Sequence, residues 1–119
     1  MGVTGIGGFL FRARDPEALR RWYIEYLGVG SAPHGAWETH AGPSVFAPLA
    51  NDSDDFARER PWILNLRVDD LDGLCRGLGA AGIEVTTDPA WGAPDVGRFA
   101  RLEDPEGNPI ELWEPDPSA

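Results

Sequence analysis

Apolar positions along this chain alternate between the period of a strand and the period of a helix, and the sequence of alternations occurs twice. Residues Ile6–Ala13 are apolar and aromatic enough for a buried strand, with paired glycines at its start. Asp15 stands where a helix N-cap belongs, Pro16 takes the first helical position, and Glu17 lies near the positive helix end. Leu19, Trp22, Tyr23, Tyr26 and Leu27 then keep the i, i+3, i+4, i+7, i+8 spacing of one helical stripe, which Gly28 is suited to stop. Two short segments, Trp37–Ala41 and Ser44–Pro48, flank Gly42-Pro43 and predict a hairpin. A polar, acidic stretch over 49–61 reads as a linker.

The pattern restarts at Trp62. Trp62–Val68 is an expected strand, Asp69 or Asp70 an expected N-cap, and Leu71, Leu74, Cys75 and Leu78 the buried stripe of a helix ending at Gly82. Three more strands are expected at Ile83–Thr86, Gly97–Leu102 and Ile110–Glu114. A Pro/Gly-rich loop, Thr87–Pro94, and the turn Asp104-Pro-Glu-Gly-Asn108 separate them. A shift of 55 residues superposes Arg12 on Arg67, Asp15 on Asp70 and Leu19 on Leu74. A long period seen twice marks a duplicated supersecondary unit rather than a solenoid.

Length and charge narrow the reading. A chain of 119 residues fits one domain with a real core, and no run is apolar enough to span a membrane. Nothing at the N-terminus reads as a secretory signal, Cys75 has no partner for an intrachain disulfide, and a cytoplasmic location is the expectation. Net charge is −10, with the excess of acid concentrated in residues 62–119; such a surface repels phosphate backbones and argues against nucleic-acid binding. All ten basic residues are arginines, which removes Schiff-base chemistry and a phosphate-loop lysine.

Asn65-Leu-Arg-Val-Asp-Asp-Leu-Asp72, Ala80-Ala-Gly-Ile83, Gly97-Arg-Phe99 and Asp104-Pro-Glu-Gly-Asn-Pro-Ile-Glu-Leu-Trp-Glu-Pro115 resemble the vicinal oxygen chelate superfamily of glyoxalases, bleomycin-resistance proteins and extradiol dioxygenases. Gly5–Phe11 and Arg14–Tyr23 extend the resemblance over the first half. It implies an α+β fold of two tandem βαβββ modules, residues 1–48 and 62–119, forming a half-open mixed sheet around a cavity in a single domain. It also implies a homodimer. Metal-using relatives take ligands from the first and last strands of each module. The matching positions here are Gly8, Ser44, Ile63 and Glu111, so Glu111 is the only strong ligand retained and no metal is expected. A divalent metal held by other ligands stays open as an alternative.

The remaining candidates follow from side-chain chemistry. Glu111 should face the cavity, as a general base or paired with an arginine such as Arg12 or Arg67. His40, two residues after Glu38, is a candidate for acid–base chemistry or for a replacement metal ligand; a surface or edge-strand histidine is the plainer role for it. His34 would be a rim residue, Asp104 a turn former and Cys75 packing. Trp37, Trp91, Phe99, Arg12 and Arg67 are the candidates for ligand binding, and Trp91, in the Pro-Ala-Trp-Gly-Ala-Pro loop, is the one suited to stack on a flat ligand. The functional expectation is a small-molecule binder, with a cationic aromatic compound suggested by the acidity. A glyoxalase-type lyase or isomerase using Glu111 is the alternative.

Overall fold

The computed structural model describes every residue except Asp55, Ala57 and Arg58, which fall within the expected linker. Among the described residues it is an α+β fold of two helices and one four-stranded mixed sheet. Helix α1 spans Pro16–Leu27. The Asp15 side chain accepts from the Ala18 N–H at 3.1 Å, and Gly28 closes the helix at φ 68, where a side chain would be strained. Strand β1 is Leu64–Arg67, helix α2 Leu71–Ala80, β2 Thr86–Thr87, β3 Gly97–Glu103 and β4 Pro109–Pro115. Between the two candidate caps for α2 the structure selects Asp70, whose carboxylate accepts from the Gly73 N–H at 3.0 Å.

The strands lie in the order β1-β4-β3-β2. β1 runs parallel to β4, and the other two pairs are antiparallel. Period-two alternation splits the sheet into two faces. Leu66, Ala100, Leu102, Ile110 and Leu112 point to one face and join Leu71 and Leu78 of α2 and Leu19 and Tyr23 of α1 in a single buried cluster. Ile110 and Leu112 are fully buried, and each such side chain contributes about 2 kcal/mol of transfer free energy. The other face carries Asn65, Arg67, Phe99, Arg101, Glu111 and Trp113, which the register sets side by side.

The first half differs from the pattern expected of it. Its helix forms as the stripe predicts, but Ile6–Ala13, Trp37–Ala41 and Ser44–Pro48 are extended chain without strand pairing. β-propensity describes fit to a neighbouring strand, and these segments pair with none among the described residues. Phe11 packs against the core, but other large apolar residues are exposed, Leu10 at 92% and Phe46 at 90%. In the second half the expected strand at Ile83–Thr86 shifts to Thr86–Thr87, because Ile83 and Val85 pack against the core cluster instead of pairing.

The Asp104–Asn108 turn joins the halves. The buried Asp104 carboxylate accepts from the Tyr23 hydroxyl at 2.6 Å, from the backbone N–H groups of Glu106 and Asn108, and from Asn108 Nδ2. The Glu106 carboxylate accepts from the N–H groups of Arg14 and Asp15, at the start of α1. Arg60 donates to Asn108 Oδ1 and to the Glu106 carbonyl. Asp104 is therefore the turn former that the sequence indicates, and it also holds the first helix to the β3–β4 turn of the sheet.

Candidate functional site

Glu111 lies on β4 between the two fully buried residues Ile110 and Leu112, and strand alternation turns it to the opposite face, as the sequence suggests. Its partners differ from the two arginines anticipated. Arg101, its register partner on β3, brings Nε to 3.1 Å and a terminal nitrogen to 3.0 Å of Oε2, while Asn65 Nδ2 on β1 donates to Oε1 at 2.8 Å. Arg12 is exposed on the extended N-terminal segment. Arg67 reaches away from Glu111 and donates to the His40 carbonyl at 2.7 Å. The reason is register: Asn65 and Arg101 stand directly beside Glu111, whereas Arg67 stands beside Trp113.

Arg101 also lies over the Trp91 ring, 4.6 Å from its centroid. Trp91 occupies a short 3-10 turn, Pro89–Trp91, whose start is capped by the Asp88 carboxylate accepting from Ala90. Trp91, Arg101 and Glu111 thus form one continuous stack across the sheet. Beside it, Phe99 and Trp113 lie parallel, with ring centroids 6.2 Å apart and planes 7° apart. Trp113 is held by its Nε1 donating to the Val96 carbonyl at 3.0 Å.

A cavity of about 2540 Å³ opens alongside β1. Asn65, Arg67 and Trp113 line it from the sheet, Phe9 and Trp62 from the side, and Trp37 and His40 from the segment opposite. Phe9 meets Trp62 edge to face at 4.9 Å. His34 also lies on the cavity wall. The structure therefore brings Trp37, His40 and Arg67 together around the cavity, and places Glu111, Trp91 and Phe99 on the adjoining part of the same sheet face. Residue reasoning missed Asn65 and Arg101. Both were open to detection by alternation, Asn65 from Arg67 on β1 and Arg101 from Phe99 on β3.

The ionisable groups with displaced pKa values lie in the supporting framework. Burial, reinforced by the Asp104 carboxylate, pushes the Tyr23 phenol far up. The Arg14 and Asp15 N–H groups hold Glu106 below the ordinary 4.5. The Leu71 N–H and then Arg98 do the same for Glu114. Burial raises the Cys75 thiol, consistent with packing on α2.

A helix-backed sheet whose polar and aromatic face adjoins a cavity defines a small α+β domain. The model of the glyoxalase-like domain matches residues 8–113, and the chain belongs to that family, within the vicinal oxygen chelate superfamily. A Mycobacterium bovis protein, CFP32, provisionally named a glyoxylase, is 32% identical over 110 residues, which is 86% of this chain and 41% of that protein. Its Mycobacterium tuberculosis counterpart matches to the same extent. The chain thus spans about two-fifths of the length of these relatives. The crystal structure of TnmS3, an antibiotic binding protein from Streptomyces sp. CB03234, superposes over 98% of this chain and 99% of that one, with a TM-score of 0.61 and 27% identity.

Proposed function

We propose that this protein binds a small aromatic molecule in the cavity between the sheet face and the extended first-half segments, without using a metal. The observation that carries the reading is the state of Glu111. Both of its carboxylate oxygens already accept hydrogen bonds, and a guanidinium lies 3.0 Å from one of them. A cation placed there would face Arg101, and the positions matching the other family ligands are Gly8, Ser44 and Ile63. A divalent ion needs three or more good donors, so these residues do not fit one. The same bonds occupy both carboxylate oxygens and leave neither aimed at a substrate, which weighs against the lyase or isomerase alternative. We read Glu111 as a positioning residue: it holds Arg101, and through it Trp91. His40 contributes its backbone carbonyl to Arg67, and a wall position rather than acid–base chemistry.

The two halves are read as tandem βαβββ modules of one domain, supported by the 55-residue repeat and by a structural likeness that extends over both halves. Ile6, Leu10, Val45 and Phe46 are more than two-thirds exposed in one half of the chain, and the cavity exceeds the roughly 300–1,000 Å³ of an ordinary ligand pocket. Both features support a homodimer in which a second copy covers these segments and narrows the cavity. That TnmS3, which is similar in structure, is an antibiotic binding protein supports a small-molecule ligand. Titration with a panel of aromatic antibiotics, followed by tryptophan fluorescence and calorimetry, tests the reading. Saturable quenching with matching heat is expected from at least one compound. Absence of both across the panel, with the protein shown to be folded, would overturn it.

A further inference from the structure

Among the described residues three arginines, Arg20, Arg60 and Arg67, line the cavity, and their partners differ. Arg20 is on the outside and pairs with Glu17 at 2.7 Å. Arg60 is spent on the Asn108 side chain and the Glu106 carbonyl. Arg67 is half-buried on the sheet face, and its hydrogen bond goes to a neutral acceptor, the His40 carbonyl. Among the described residues Arg67 makes no ion pair. Arg12, Arg21, Arg60 and Arg76 make none either, but Arg12, Arg21 and Arg76 are exposed and lie off the cavity wall, and Arg60 divides its guanidinium between two acceptors of the Asp104–Asn108 turn, whereas Arg67 has a single hydrogen bond. The carboxylates on the cavity wall, Glu38, Asp69 and Asp70, are exposed, and Asp70 is also engaged as the cap of α2.

We infer that the cavity selects a planar aromatic ligand carrying an anionic oxygen, a carboxylate or sulfonate, with Arg67 as the group that receives it. This rests on the binding reading above and reverses the charge preference that the composition suggests. Most of the net charge of −10 lies on the surface, where salt screens it beyond a Debye length of about 8 Å. A half-buried guanidinium at contact distance is screened much less and presents a fork that matches a carboxylate. The rings complete the subsite. Trp113 stands beside Arg67 in register, Phe9 and Trp62 form an edge-to-face pair on the flank, and Trp37 faces them half-exposed. The Gly42 backbone lies so close to Arg67 that a Cβ there would fall on the guanidinium. The Gly42 backbone therefore packs directly against the charged group.

The test compares three ligands of one shape: 2-naphthoate, 2-naphthalenemethanol and 2-naphthylmethylammonium. Each is titrated calorimetrically into the full chain and into the Arg67→Gln and Arg67→Lys variants, with melting curves to confirm folding. Naphthoate should bind the native chain about tenfold or more tighter than the alcohol, with the ammonium weakest. Arg67→Gln should remove the preference for naphthoate over the alcohol, and Arg67→Lys should keep part of it. Equal affinities for all three in the native protein, or preference for the ammonium, would overturn this inference and leave the binding reading standing. Failure of all three to bind, when an aromatic antibiotic does bind, would also overturn it. Failure of every compound would overturn both.

Discussion

Asp104 shows how much one side chain carries here. Buried at 4% exposure, it gathers hydrogen bonds from Tyr23, from two backbone N–H groups and from Asn108. Asp104→Ala leaves several buried donors unsatisfied, and urea denaturation should show a loss of about 3 kcal/mol. Tyr23→Phe removes one bond and should lose about 1 kcal/mol. Glu106 and Glu114 give stability its pH dependence. Both are held below the ordinary 4.5 when folded, so their contribution is fully present above that pH and is lost as pH falls through their lower folded values. Glu106→Gln should flatten the acid limb of a stability-versus-pH curve below about pH 4.5 while changing its slope near neutrality little. An acid limb unchanged from the native protein would contradict the assignment. The turn-forming role of Asp104 was legible in the sequence. Its bond to Tyr23 spans 81 residues and depends on docking of α1, which no local pattern encodes. The Arg101–Glu111 pair was hidden for a related reason: it depends on strand register, which the sequence does not print.

At the scale of elements, whatever closes its hydrogen bonds locally was readable. The caps of α1 and α2, their stripes and the strands β3 and β4 all lie where the pattern puts them, because helix caps and a tight antiparallel pair are satisfied within a few residues. The first-half strands depend on partners far away or on another molecule, and their propensity alone does not form a ladder. Gly97 shows what the β3–β4 pair requires. Its φ of 127 suits glycine, and an added Cβ would collide with the Glu114 carbonyl across the pair. Gly97→Ala should cost about 3 kcal/mol or more and lower the melting temperature accordingly. A neutral substitution would mean that this close approach does not occur in solution. Trp91→Ala, by contrast, removes a ring from a surface loop. It should leave the melting temperature within a few degrees and weaken ligand binding if the Trp91–Arg101 stack belongs to the binding face.

At the scale of the molecule, the chain keeps the family's framework in the second half and exposes apolar segments in the first. Leu10→Asp and Phe46→Asp each place a charge on surface that is open in the single chain. If a second copy covers those segments, sedimentation should show the native protein as a dimer and the variants shifted toward monomer; a monomeric native protein would contradict the dimer. No helix among the described residues is long and apolar enough to cross a membrane. Among those residues no three His, Cys, Asp or Glu side chains are grouped to hold a metal, and the Glu111 carboxylate accepts from Arg101 and Asn65. The central claim is binding without a metal. Calorimetric titration of an aromatic ligand before and after exhaustive chelation, and again after adding back zinc, manganese and iron, tests it most directly. The account predicts the same affinity in all three conditions and no conversion of the ligand. Binding lost on chelation and restored by one metal, or turnover that appears with it, would contradict the account.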